Sequence, residues 1–241
     1  MRRSGDTVAI PGDYQYRALH GGNAVQRFWH HSKQVTISRY LPPQAGDFVL
    51  DVGCGSGVIA DFLAQRAATV IGVDGNDAAI AFARRTFARS NLRFERGLVD
   101  HDFALPRPAD KIYCLEVIEH IYPEQALDML RVFHRHLAAG GRVYLTTPNS
   151  HSAWPAIEWL LDFFKLTPHM SGEQHVASYS RRSLAALCRE AGFTVERTFT
   201  TSLFAPWLAP LSWKLAEAVN ALESGAPFGC ILACVAKKGG A

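Results

Sequence analysis

Phe48-Val49-Leu50-Asp51-Val52-Gly53-Cys54-Gly55-Ser56-Gly57 is the stretch that decides the fold class of this chain. A short apolar run of strand length enters a turn with glycine at every second position, and a helical pattern follows. A second apolar run, Thr69–Val73, stops at Asp74, with Gly75 beside it. Glycines in such a turn let the backbone bend tightly and approach a ligand with no Cβ in the way. Asp74 follows Gly53 at about the ~20-residue spacing from which a carboxylate holds the two ribose hydroxyls of a nucleoside. The pair points to an adenosine-containing cofactor. Asp51, just before the turn, is placed to hold an amino group or an ordered water.

Working outward, runs of strand length alternate with helical patterns. The strands read Phe48–Val52, Thr69–Val73, Leu92–Glu95, Lys111–Leu115 and Arg142–Thr146. Between them, Val58, Ile59, Phe62 and Leu63 share one helical face, and Ile80, Ala83 and Phe87 share another. Leu127, Leu130, Phe133 or His134, and Leu137 mark a third helix, which Gly140-Gly141 is expected to stop. Ser180 is an N-cap candidate for a helix through Leu184, Leu187 and Cys188 that ends at Gly192. Thr194–Phe199 and Gly229–Val235 complete the set. Alternation of this kind predicts an α/β fold: a Rossmann-like, doubly wound sheet of seven strands, mostly parallel, with helices on both faces.

The turn separates two kinds of cofactor. A dinucleotide fingerprint places glycine or alanine at position 58, where this chain has Val58, and a valine there obstructs the close approach of a pyrophosphate. The run Asp-x-Gly-x-Gly-x-Gly instead resembles motif I of the class I S-adenosylmethionine-dependent methyltransferases, and the likeness extends over about residues 45–238. It implies S-adenosylmethionine as the cofactor, an antiparallel last strand, and the last two strands paired at the sheet edge. It implies a cofactor site of Asp51, Gly53, Gly55, Gly57, Asp74, Gly75, Leu115 and Glu116. Many relatives place Gly-Asp after the third strand to hold adenine; here Gly97-Leu98-Val99-Asp100 departs from that pattern, so the contact falls to the Val99 backbone or Asp100.

Leu115-Glu116-Val117-Ile118-Glu119-His120 closes the fourth strand. In a helix, the spacing i, i+3, i+4 would set Glu116, Glu119 and His120 on one face. The element resembles the Glu-x-x-Glu-His of two groups, the ubiquinone-biosynthesis O-methyltransferases and the small-RNA 3′-terminal 2′-O-methyltransferases. In both a later histidine joins the site, and His175 occupies that stretch here. Two readings stay open. Glu116, Glu119, His120 and His175 hold Mg²⁺ or another divalent ion, or Glu119, His120 and His175 are catalytic groups that shape the pocket and take a proton. His30, His31 and His151 are weaker candidates.

Composition bounds the acceptor. A formal net charge of +3 over 241 residues speaks against nucleic acid as a partner, and the densest basic run, Arg84 to Arg96, reads as a solvated helix face. Five widely spaced cysteines read as free thiols in a reducing compartment. No apolar run follows Arg2 and Arg3, and no stretch reaches the ~20 apolar residues of a spanning helix. The expectation is a cytoplasmic protein, with peripheral contact to a membrane left open. Residues 1–44, with a helix at Asn23–Tyr40, read as a substrate-covering segment ahead of a methyltransferase domain at 45–241. Apolar insertions near 151–175 and 203–224 carry Trp159, Phe163, Phe164, Trp207 and Trp213. They either complete the core or together form a pocket or membrane-facing surface, and the second reading favours a lipophilic or aromatic small molecule such as a quinone precursor, natural product or glycolipid intermediate. RNA 2′-O-methylation and a non-catalytic cofactor-binding scaffold are the rivals, and the oligomeric state is left open.

Overall fold

The computed structural model describes residues 11–152, 175–226 and 228–239. Seven strands form one sheet in the order β3-β2-β1-β4-β5-β7-β6. They are β1 Phe48–Val52, β2 Thr69–Asp74, β3 Leu92–Arg96, β4 Ala109–Leu115, β5 Leu137–Pro148, β6 Phe193–Thr201 and β7 Ile231–Lys238. All pair in parallel except β7, which runs antiparallel to both neighbours. β6 therefore points the same way as β1 to β5. Its far end and theirs share one edge of the sheet, the edge that carries ligands in open α/β folds.

Period-2 alternation along the strands builds a core on each face. Leu50, Val52, Ile112, Cys114 and Leu145 turn to one side. There they meet Met129, Leu130 and Phe133 of α5 (Pro123–His136) and Leu184 and Cys188 of α6 (Arg181–Glu190). Val49, Val70, Tyr113 and Tyr144 turn to the other side. They pack on Ile37 of α2 (Ala24–Tyr40), Leu63 of α3 (Val58–Ala64) and Ala83 of α4 (Asp77–Thr86). α2 starts at Asn23, whose side chain and that of Gln26 cap each other's amides, and Ser180 caps α6 through Ser183.

Several expectations are corrected. Helix α5 ends at His136, before Gly140-Gly141; Leu137 already begins β5, and the glycines lie within that strand. Helix α1 (Tyr14–His20) was not foreseen: seven residues are too short for an amphipathic pattern to stand out. The arginine run does not form one helix face, since Arg84 and Arg85 belong to α4 and Arg93 and Arg96 to β3. The apolar stretch 203–224 folds as two helices, α7 (Ala205–Leu208) and α8 (Trp213–Glu223), and both pack on α2. The expected insertion near 151–175 falls, over 153–174, outside the described residues. All five cysteines are free and buried.

Candidate active site at the carboxyl edge of the sheet

The site begins where β1 stops. Gly53 and Gly57 take φ of 70° and 86°, the left-handed region that side chains rarely adopt. A Cβ on Gly53 would lie 2.3 Å from Val117, and one on Gly57 would lie 2.7 Å from the Phe94 ring. Glycine is thus required by both backbone conformation and space. Asp74, at the end of β2, fixes the loop from beside it: one carboxylate oxygen accepts the Gly55 amide at 2.8 Å and the other the Asn76 amide at 2.8 Å. Gly75 lies between Asp74 and the α4 cap Asn76.

A narrow cavity opens above this loop. Asp51, Gly53, Cys54 and Leu115 line it from the sheet, and Gln15, His30 and Lys33 close it from α1 and α2. Asp51 is buried, and its Oδ2 has no hydrogen-bond partner. Burial, then the Asp74 carboxylate, pushes its pKa well up, against the Ala60 amide that lowers it. Beside it Glu116 adopts φ 56°, a strained value for a residue with a side chain. Its Oε2 takes Lys33 Nζ at 2.7 Å, while its Oε1 is buried without a partner. Two orphaned carboxylate oxygens, one on the cavity-lining Asp51 and one on the residue that follows the lining Leu115, fit a ligand that brings hydrogen-bond donors and positive charge. S-adenosylmethionine carries an ammonium and a sulfonium; a pyrophosphate would face Asp51, Asp74 and Glu116 with like charge.

After Glu116 the chain makes only a 3₁₀ turn, Ile118–His120. Glu116 therefore precedes the turn, and the single helical face expected for Glu116, Glu119 and His120 does not form. Glu119, His120 and His175 do come together: one ligand-type atom from each lies within 4.8 Å of the others. The two imidazole rings are 5.0 Å apart between centroids. His175 is brought in by backbone pairing, as the Val176 and Ala177 amides both donate to the Glu119 carbonyl. Glu119 is buried and accepts the Thr147 hydroxyl at 3.0 Å. Burial first, then Glu116, pushes its pKa up to about 8.

The remaining candidates separate. His30 lines the cavity, whereas His31 meets Glu217 of α8 at 3.3 Å. Val99 packs in the core, Asp100 is exposed, and His151 sits on an exposed turn. Sequence reading missed Gln15, Lys33 and Thr147. Lys33 alone carried a signal, three residues after His30 and so on the same helical face.

His30 yields a pH prediction. Burial, then the Lys33 ammonium, pushes its pKa down from 6.5 to about 3. The folded state refuses a proton that the unfolded chain accepts below pH 6.5. This contribution to stability is complete above pH 6.5 and is lost as pH falls toward 3. His30→Gln removes that slope, so the parent should lose about 2 kcal/mol more than the variant between pH 7.5 and 5. Chemical denaturation at both pH values checks it; equal losses would contradict it.

Comparison with known proteins places this arrangement. A family model described as a methyltransferase domain matches residues 25–198. The chain belongs to that family. The ubiquinone biosynthesis O-methyltransferase of Pseudomonas aeruginosa is 35% identical over 161 residues, covering 63% of this chain and 66% of that protein. The alignment thus spans just under two thirds of that relative's length. The Pseudomonas fluorescens enzyme of the same name is 34% identical over 191 residues, covering 76% of each chain. The fold of this methyltransferase-family chain is shared with magnesium protoporphyrin IX methyltransferase of Synechocystis, solved with S-adenosylhomocysteine, at TM-score 0.61 and 19% identity. That match covers 95% of this chain and 94% of the other. A methyltransferase of Haloferax volcanii, solved with its activator Trm112, gives 0.65 at 19% identity and covers 96% and 100%. The cofactor of this family, S-adenosylmethionine, agrees with the charge of the cavity.

Proposed function

We propose that this protein transfers a methyl group from S-adenosylmethionine to a hydroxyl of a lipophilic or aromatic small molecule, of quinone-precursor, natural-product or glycolipid type. The observation that carries the reading is the Glu119–His120–His175 cluster, built at the same sheet edge as the cofactor loop and linked to it through Glu116. A methyltransferase acting on a hydroxyl has to remove a proton, and such a cluster is what that step requires. The names of the Pseudomonas relatives support oxygen as the accepting atom.

When bound, S-adenosylmethionine supplies an activated methyl on a sulfonium, so the transfer is a direct displacement. The chain's own residues align and deprotonate. Asp74 holds the ribose hydroxyls while keeping the Gly55 amide. Asp51 Oδ2 and Glu116 Oε1 take donors from the methionine end, and Gly53, Gly55, Gly57, Gly75 and Leu115 leave room for the ligand. Val99 and Asp100 flank the adenine side. α1 and α2, within the first 44 residues, cover the site and exclude water. Glu119 and Thr147 fix the cluster from below, and an imidazole nitrogen of His120 or His175 receives the acceptor's proton.

Two imidazoles and one carboxylate also suit a divalent cation with open positions, a donor set closer to that of manganese, iron or zinc than to the oxygen shell of Mg²⁺. Glu119, His120 and His175 would hold it; Glu116 is turned instead toward Lys33. Such an ion would supply Lewis acidity that lowers the acceptor's pKa. Turnover of a short-chain prenylated catechol, measured before and after chelation, tests this. Unchanged turnover is the expected result with the imidazoles as proton acceptors; a loss of roughly tenfold or more, restored by Mn²⁺ or Zn²⁺, would make them ligands of an ion instead.

A further inference from the structure

We propose that the connection between β6 and β7 is a docking surface for an anionic lipid bilayer, an inference that rests on the lipophilic-acceptor reading above. Among the described residues, nine large apolar side chains are exposed, and six of them lie in this one connection: Phe204, Trp207, Leu211, Leu215, Leu222 and Phe228. Leu211 is 80% exposed and Leu222 85%. Leu215, Ala218 and Leu222 stand at i, i+3, i+7 on α8 and form one apolar stripe. On the inner side of that helix Ala216 is buried in a cluster with Phe28, Ala205 and Ala209, and Trp213 and Val219 pack against it. A helix with both an inner and an outer apolar face has a second apolar neighbour to satisfy.

Charge identifies that neighbour. Arg27 lies 5.8 Å over the Trp213 ring, and Lys214 is exposed beside Leu215. At the other end of α8, Arg39 donates to the Ala221 carbonyl at 2.8 Å, next to Leu222. Arg39 and Arg197 both stand 5.4 Å from the Tyr40 ring, where a cavity of about 320 Å³ opens. The nearby acids each have a partner within the chain. Glu196 in that cavity is held by Arg142 at 2.9 Å, Glu217 by Trp213 and His31, and Glu223 by the amides of Leu203 and Phe204. An apolar stripe with basic side chains at its rim, and an exposed tryptophan near it, is the pattern of a helix lying in the headgroup region of an anionic membrane. A second copy of this chain meeting the stripe two-fold would bring those cations against their own kind.

Topology gives the surface a purpose. Because β6 runs parallel to β1–β5, its connection to β7 leaves the sheet at the edge that carries Asp51, Asp74 and Glu119. α2, on which α7 and α8 pack, also presents His30 and Lys33 to the cofactor cavity. Docking by this face brings the site to the lipid that would hold an apolar acceptor.

Sedimentation with vesicles tests the proposal without cofactor or acceptor. The full chain should bind mixed phosphatidylglycerol–phosphatidylcholine vesicles roughly tenfold tighter than pure phosphatidylcholine, and the difference should shrink with salt. Leu215→Asp with Leu222→Asp should weaken binding roughly tenfold, and Arg39→Gln with Arg197→Gln should abolish the preference for anionic lipid. All four residues are exposed, and unchanged melting temperatures would show the variants folded. No binding by the parent, or variants that bind as it does, would overturn the proposal. So would a dimer in solution that the leucine variant splits while vesicles are ignored. Methylation of a water-soluble catechol in vesicle-free buffer reports on the acceptor separately. A parent that binds vesicles but methylates no hydroxyl acceptor keeps the surface and loses the acceptor; the reverse loses the surface alone.

Discussion

Asp74→Ala should weaken S-adenosylmethionine binding by about a hundredfold or more, since in the proposed binding mode it removes two charge-assisted hydrogen bonds to the ribose. The side chain has a second duty. It accepts the amides of Gly55 and Asn76 from opposite oxygens, so its loss also frees the glycine loop at one end. Stability should fall by only about 1–2 kcal/mol, because both amides lie at the part-buried site edge where water can replace the carboxylate. Asp74→Asn keeps one acceptor and should retain part of the affinity. Calorimetric titration with S-adenosylhomocysteine, alongside melting curves, separates the two effects. Binding by the alanine variant within threefold of the parent would remove Asp74 from the cofactor site.

His120→Ala should act on the other half of the reaction. If an imidazole of the cluster takes the acceptor's proton, kcat should drop by roughly 10²–10⁴-fold while cofactor affinity stays within about twofold. Glu119→Gln preserves an acceptor for the Thr147 hydroxyl and the packing of the buried side chain, yet removes the carboxylate. A loss comparable to that of His120→Ala, with the two changes together no worse than either, would show the cluster working as one unit. Stopped-flow or radiolabel turnover with a catechol acceptor gives kcat, and titration gives the affinity. An unaltered kcat in both variants would place the proton elsewhere.

The sequence was most legible where backbone geometry leaves one choice. Gly53 and Gly57 occupy conformations and spaces closed to other residues, so the loop could be read from three letters and their spacing. The strands were legible because burial on both sheet faces leaves nearly continuous apolar runs, as in Phe48–Val52, which Asp51 alone interrupts. Ser180 announced its helix because a cap needs a side-chain oxygen at one position. What failed was what the chain settles through distant contacts. Gly140-Gly141 resembles a helix stop, yet sheet pairing between β5 and β7 claims Leu137 onward. Gln15 reaches the Ser56 amide across 41 positions, and nothing near Gln15 records that meeting. Glu116 was grouped with Glu119 and His120 by a helical spacing that a strained turn replaces. His175 joins them through amides of residues 176 and 177 bonding to Glu119, a contact that depends on the fold being formed.

The most direct test of the whole account supplies methyl-labelled S-adenosylmethionine and the purified protein to separated lipid and RNA extracts. Label is expected in the lipid fraction, attached through oxygen and lost from reactions run with the His120→Ala variant. Label in RNA, or in neither fraction despite measurable cofactor binding, would contradict it.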